Sequence, residues 1–243
     1  MARIGWGVTG AGHLLPETFE IMEKLAERHE ISCFVSSAAE QVIRIYGLWE
    51  KLNKICLGDY FREVIRETSQ GPAAPLAGRF PRKIYAALVV SPATANTVAK
   101  VASGISDTLV TNAIAQAEKG KVPVIIVPTD RERGEVKTRL PHVIDRRVCK
   151  ECESCRVIGL CPADAIVLSN SLPRIDLSKC RGCGICLDNC PRNAISFGRE
   201  ITTVVREIDV KNVETLREMG LVVLAEPREI PSALTKILGE QIE

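Results

Sequence analysis

Between Arg3 and Val127 the chain alternates short apolar runs with stretches of helical periodicity. Arg3–Gly10 reads as a strand that ends in glycine, and Ile31–Val35 as a second. Tyr85–Val90 and Val122–Val127 are almost wholly apolar, the mark of strands covered on both faces of a parallel sheet. Helical spacing puts Phe19, Met22 and Leu25 on one side of Glu17–Arg28. It does the same for Val42, Ile45, Tyr46 and Trp49 within Ala38–Leu52. Asn96–Glu118 is mostly helical with a break near Gly104, and Thr68–Pro81, rich in Gly, Pro and Ala, reads as a surface loop. The alternation predicts an α/β fold, a doubly wound three-layer sandwich.

The pattern lapses near residue 140 and resumes near 200. Thr202–Ile208 is strand-like, Val213–Met219 helical, Leu221–Leu224 apolar and extended, and Ile230–Ile237 a helix with Pro231 in its first turn. This last segment is short for an independent domain. It is either a tail behind an appended module or the completion of the first sheet around an insertion. Insertion at a loop costs a fold little and is the favoured reading. The expected division is 1–140 and 200–243 for the sheet domain and 141–199 for the insert.

Eight of the ten cysteines lie in that insert. Cys149, Cys152, Cys155 and Cys161 form one run, Cys180, Cys183, Cys186 and Cys190 another, and proline follows the last of each. Bacterial-type ferredoxins hold two [4Fe–4S] centres with this spacing. Structural zinc uses Cys-x-x-Cys pairs but gives no reason for a third cysteine and a remote Cys-Pro, twice over. Disulfides are disfavoured because the chain opens MARIGWGV, without an apolar signal segment, so a cytoplasmic, reducing setting is expected. In this motif the fourth cysteine serves the other cube. Cluster one is therefore assigned Cys149, Cys152, Cys155 and Cys190, and cluster two Cys180, Cys183, Cys186 and Cys161. Gly182 and Gly184 free the backbone around Cys183. The first run carries Glu151, Glu153 and Ser154 instead and a longer gap before its last cysteine, so the two surroundings differ.

The runs are also an internal repeat, Cys-Pro-Ala-Asp-Ala-Ile at 161–166 against Cys-Pro-Arg-Asn-Ala-Ile at 190–195. Ala165–Leu168 and Ala194–Phe197 read as strands, with Pro173–Leu177 as a partner across a turn at Ser169–Leu172. An α+β module this small depends on its clusters for cohesion.

Open parallel sheets bind ligands beyond the carboxyl ends of their strands. Thr9, Gly10, Gly12 and His13 follow the first strand, where two glycines near a helix start suit an anion cradle or a plain tight turn. They are not the GxGxxG fingerprint, since Leu15 stands where the third glycine would. Ser36 and Ser37 follow the second strand, and Ser37 also fits a helix N-cap with Glu40 at the third helical position. Ser91, Ala93, Thr94, Asn96 and Thr97 follow the third, a dense set of small polar groups around Pro92.

Together with Thr111-Asn112-Ala113, these segments resemble the flavin-binding signature of the homo-oligomeric flavin-containing cysteine decarboxylases; Ser91–Thr97 is similar to that family's Pro-Ala-Ser-Ala-Asn-Thr motif. The resemblance covers residues 1–130 and extends to the last forty. It implies a Rossmann-like, flavodoxin-like sandwich assembled as trimers, with FMN between neighbouring protomers. It places Thr9, Gly10, Gly12 and Ser36 or Ser37 around the phosphate, and Ser91, Ala93, Asn96 and Thr97 near the isoalloxazine, with Asn112 in the same signature. Decarboxylating members carry Pro-x-Met-Asn-x-x-Met where this chain has Pro128-Thr129-Asp130-Arg131, which argues against decarboxylation. IGWGVTGAGHLL and SPATANTVAK look like the archaeal flavoprotein branch that includes dihydromethanopterin reductases (acceptor). That branch implies reduction of a dihydromethanopterin-type pterin at FMN.

Flavin exchanges one or two electrons and a [4Fe–4S] cube one, so two clusters beside FMN suit a two-electron reduction. Without a dinucleotide fingerprint, the expected donor is a low-potential carrier such as ferredoxin. A non-catalytic flavin and iron–sulfur relay is the rival reading. His13 is either a proton donor or a packing histidine, and no catalytic residue is assigned. Cys33 and Cys56 read as buried small hydrophobes. The formal charge is +2, and two oxidised cubes at about −2 each bring the holoprotein to about −2. Arg146, Arg147, Lys150 and Arg156 offer either an ordinary solvated face or a dock for an acidic carrier. Aromatics make up only 4% of the chain and no long basic run accompanies them, which disfavours nucleic acid. No run of eighteen apolar residues predicts a membrane span.

Overall fold

The computed structural model describes residues 1–73, 75–149, 152 and 154–239; Lys150, Glu151 and Glu153 lie outside them. The chain begins β1 (Arg3–Val8), α1 (Leu15–Ala26), β2 (Glu30–Val35), α2 (Ser37–Ile45), α3 (Trp49–Ile55), β3 (Val64–Arg66) and α4 (Glu67–Gln70). It continues through β4 (Ala87–Ala93), α5 (Ala95–Ala102), α6 (Leu109–Lys119) and β5 (Val124–Pro128). β6 (Gly134–Arg139) leads into the cysteine-bearing part, which holds β7 (Val143–Ile144), α7 (Arg146–Cys149), β8 (Ile166–Ser169), β9 (Leu172–Ile175), α8 (Ile185–Asn189) and β10 (Ile195–Ser196), and β11 (Glu200–Val205) leads out of it. The chain closes with α9 (Glu207–Glu218), β12 (Val222–Val223) and α10 (Ile230–Leu238).

Six parallel strands form one sheet in the order β12-β5-β4-β1-β2-β3. Successive side chains point to opposite faces, and both faces are covered. Ile4, Trp6, Val8, Val89 and Ile125 pack beneath α1, α3 and α10. Phe34, Leu88, Val90 and Ile126 pack beneath α5, α6 and α9. The architecture is a Rossmann-like three-layer α/β sandwich. Gly5 and Gly7 have no side chain on the second face because Phe80 and α6 fill it. A Cβ on Gly5 would lie 2.6 Å from Phe80 Cζ, and one on Gly7 3.0 Å from Val110 Cγ1.

The segment after the cysteines contributes to this same sheet. Val222 and Val223 pair with Ile125 and Ile126, and α9 packs on α5. The strand-like run at 202–208 behaves differently. As β11 it leaves the sheet and pairs antiparallel with β6, from Glu200–Arg139 to Val205–Gly134. Both strands are largely exposed and polar, which suits a ribbon and not a covered sheet. The polar sequence of β6 gave no strand signal.

Other expectations shift for identifiable reasons. The helix expected over Ala38–Leu52 is two, broken at Gly47, whose φ of +71° a helix does not accommodate. The third strand runs on through Ser91 and Ala93 instead of ending at Val90. The segment 68–81 is not a plain surface loop: Ala77, Arg79 and Phe80 are buried, and Phe80 lies against Phe34 and Tyr85 with ring centroids 5.4 and 4.8 Å apart.

In the module, β8 and β9 form a hairpin whose turn residues Asn170 and Ser171 both have positive φ, as a type I′ turn requires. β7 pairs with β10. Its apolar core is Val157, Ile166 and Ile195, packed against Cys155, Cys161, Cys186 and Cys190. Thiols thus stand where a larger domain would place leucines. Chelating iron from the holoprotein is expected to unfold residues 141–199 while the sheet stays folded. Hydrogen exchange before and after chelation checks this; protection retained in β8 and β9 would refute it.

Candidate functional site

The chain leaves β1 toward β2 and leaves β4 toward β5 on the opposite side, so the sheet's switch point lies between β1 and β4. The Gly10–His13 turn and the start of α5 face each other there. Thr9 joins them: its hydroxyl donates to the Pro92 carbonyl at 2.7 Å and accepts from the Thr94 amide at 2.9 Å. Thr94 caps α5 by accepting from the Thr97 amide, and Asn96 stands exposed in the first turn. Gly10 lies close over the start of α2, where a Cβ would come 2.7 Å from that of Ala38, and Gly12 lies against the hydroxyl of Tyr46.

The predicted residues therefore divide into two groups. Gly10, Gly12, His13, Thr94 and Asn96 border the crevice. Thr9, Ser91, Ala93 and Thr97 are buried beneath it. The Ser91 hydroxyl is buried and pairs with Thr18 on α1 at 2.7 Å. Ser36, not Ser37, is the N-cap of α2, accepting from the Ala39 amide at 3.1 Å. Ser37 instead donates to Glu67 at 2.6 Å, and the same carboxylate accepts the Leu109 amide at the start of α6. Asn112 donates to the Pro72 carbonyl at the β3 side of the sheet. No local pattern marks Glu67, because nothing in the sequence around it signals a carboxylate that caps a distant helix.

Two small cavities of about 190 and 160 Å³ flank His13. Thr129, Asp130, Thr138 and Thr203 border the first, and Tyr46, Lys137, Arg139 and Glu200 the second, so the ribbon of β6 and β11 overhangs the turn. Burial holds the His13 imidazole below its usual pKa, opposed by Glu17 and Asp130. Sites for cofactors usually enclose about 300–1,000 Å³. Each of the two cavities lies below that range. The glycine turn and the open face of α5 suit the anionic and planar parts of FMN.

The eight module thiols gather into two sets, each drawn from both runs. Cys149, Cys152, Cys155 and Cys190 line a single cavity of about 620 Å³. The Cys149 thiol is pushed up first by burial and then by Cys190, Cys155 and Cys152. Burial likewise raises Cys186 to about 11, with Cys180, Cys183 and Cys161 adding to it. Thiolates so placed need a cationic body between them. Among the described residues no three His, Cys, Asp or Glu are grouped to chelate one ion. Thiols around a roomy cavity suit a cube, in which each binds a different iron. The repeat extends to the sulfur hydrogen bonds: the Ala165 amide donates to Cys161 at 3.4 Å and the Ala194 amide to Cys190 at 3.3 Å. Cys33 and Cys56 are buried free thiols in the core beneath α1 and α3.

His142, between the ribbon and the module, is 3% exposed, and neither ring nitrogen has a partner among the described residues. Its ring lies 4.7 Å from that of Phe197, which meets Tyr46 edge-on at 5.5 Å. Burial lowers its pKa, so the unfolded chain binds the proton more readily. The stability this contributes is present above the ordinary histidine value of about 6.5 and lost as pH falls through the folded value. His142→Phe is expected to raise the urea midpoint more at pH 5 than at pH 7. An equal shift at both would refute the titration.

The flavoprotein family matches residues 1–137 and a 4Fe-4S binding domain matches 173–196, which includes the second cysteine run. The chain is 48% identical over 233 residues to the dihydromethanopterin reductase (acceptor) of Methanosarcina mazei, spanning 94% of this chain and 97% of that one. It is 47% identical over 232 residues to the protein of the same name from Methanocaldococcus jannaschii, spanning 94% of each. Among solved structures it is similar to Burkholderia xenovorans DmrB in complex with FMN, described as a cubic protein cage for redox transfer. That likeness has a TM-score of 0.61 at 27% identity and covers 98% of this chain and 96% of that one. No helix among the described residues is long and apolar enough to cross a membrane.

Proposed function

This chain belongs to the flavoprotein family, and on that premise we propose that it is an iron–sulfur flavoprotein reducing a dihydromethanopterin-type pterin to the tetrahydro form at FMN. One observation carries the reading: the likeness to the two reductases runs through the sheet and the cysteine module alike. Residues 1–140 and 200–243 form the flavin unit, and 141–199 hold two [4Fe–4S] clusters on the thiol sets described above.

FMN, when bound, takes electrons singly and passes them on in pairs. The chain's part is placement. The Gly10–Gly12 turn meets the phosphate with backbone, while Thr9 and Ser36, whose hydroxyls are engaged, hold that turn and α2 in position. Asn96 and Thr94 border the ring's side of the crevice. The ribbon overhangs His13 and limits access of water. Each cavity beside His13 lies below the usual cofactor range, which supports a pocket completed by a neighbouring protomer in a trimer, with 93–97 and 111–117 near the contact. Arg156 and Arg192 line the cluster-one cavity and suit an acidic one-electron donor such as ferredoxin, in the cytoplasm.

Anaerobic stopped-flow mixing of the fully reduced protein with dihydromethanopterin tests the reading. Rapid flavin reoxidation with stoichiometric tetrahydromethanopterin is expected. Unchanged flavin absorbance would leave an electron relay in its place.

A further inference from the structure

We propose that the two centres have a built-in order. Cys161, Cys180, Cys183 and Cys186 hold the inner centre, facing the flavin unit, and Cys149, Cys152, Cys155 and Cys190 hold the outer one, which meets the donor. This rests on the function proposed above and adds a direction to it.

Three observations carry the order. Residues 177–182 lie along α2: Leu177, Ser178 and Cys180 share a cavity with Ser37, Gln41 and Arg44. Ten residues beyond Ser37, just past the end of α2, the backbones of Gly182 and Gly47 are in direct contact; a Cβ on Gly47 would lie 2.9 Å from the Gly182 carbonyl, and one on Gly182 2.6 Å from that of Ile45. Both glycines have positive φ, 63° and 71°. The neighbouring Tyr46 reaches Gly12 and donates to the Arg139 carbonyl at 2.6 Å, so the same helix end touches the crevice turn. By contrast, among the described residues the cavity of the other thiol set is lined by residues between Cys149 and Ala194 of the module.

Electron tunnelling falls steeply with distance, so the set docked on α2 is the one that exchanges with the flavin. With clusters bound on the two thiol sets, each transfer would oxidise a one-electron carrier protein at the outer set and deliver its electron by way of the inner set. Two such transfers and two protons from solvent would balance one pterin reduction.

The test compares Gly182→Asn with Gly198→Asn in the anaerobic holoprotein. Asn tolerates positive φ better than most residues, so both substitutions carry similar backbone strain. At Gly182 the new side chain meets Gly47 and Ile45; at Gly198, φ +74°, nothing lies within 4 Å. With iron and flavin content matched, Gly182→Asn is expected to slow flavin reduction by the pre-reduced module roughly tenfold to a hundredfold. It should also remove the relaxation enhancement that a nearby cluster imposes on a flavin radical. Gly198→Asn should change neither. Cys149→Ser, which perturbs the outer centre, should leave the enhancement intact. Unchanged rate and relaxation in Gly182→Asn, or loss of the enhancement in Cys149→Ser alone, would overturn the order. A wild-type protein without iron or flavin would refute the underlying function instead.

Discussion

Replacing Cys161 by Ala is expected to remove the cluster of the second cysteine run, not the first. Bound iron should fall from about eight to about four per chain. The reason is the exchange of ligands between the runs. Cys161 follows Cys155 in sequence, yet its thiol interacts with Cys180 and Cys186. Cys190, from the second run, completes the cavity of Cys149, Cys152 and Cys155. Flavin content should be largely retained, because the sheet's two cores contain none of these residues. The two clusters have different surroundings, so the spectrum of the surviving one identifies it. If Cys161→Ala and Cys183→Ala leave different surviving clusters, the pairing is wrong. If both leave the same one, it stands.

Phe80→Ala is expected to destabilise the sheet domain by about 3–5 kcal/mol. The ring is fully buried, is sandwiched by Phe34 and Tyr85, and fills the space that Gly5 vacates on β1. Closing the cavity would require the first strand to move toward α6, which packs against Gly7 through Val110 and resists that shift. Urea denaturation of the anaerobic protein measures the loss, and the module's cluster absorbance reports separately on residues 141–199. A cost below about 1 kcal/mol would show that 68–81 is the dispensable surface loop its composition resembles.

Much of this protein is written in short-range patterns. Near-continuous apolar runs at 87–90 and 124–127 require a sheet covered on both faces, since each side chain must leave water whichever way it points. Cysteines two residues apart, with a remote Cys-Pro, confine eight thiols to a form that two cubes satisfy. Gly104 interrupts a helical stretch at a position where its positive φ cannot be helical.

What the sequence by itself determined is therefore most elements of the central sheet and its helices, the class of fold and the chemistry of the metal ligands. These depend on residues within a turn or two of one another, where spacing dictates geometry. The tertiary structure alone decided the strand order and the sheet's switch point between β1 and β4. It turned Ser91 inward onto Thr18 and gave Ser37 to Glu67, thirty residues away. It also paired the polar strands β6 and β11 and set Gly182 against Gly47. Each of these joins segments far apart in the chain, and such contacts are selected by packing and by the pairing of buried polar groups, which no local pattern encodes.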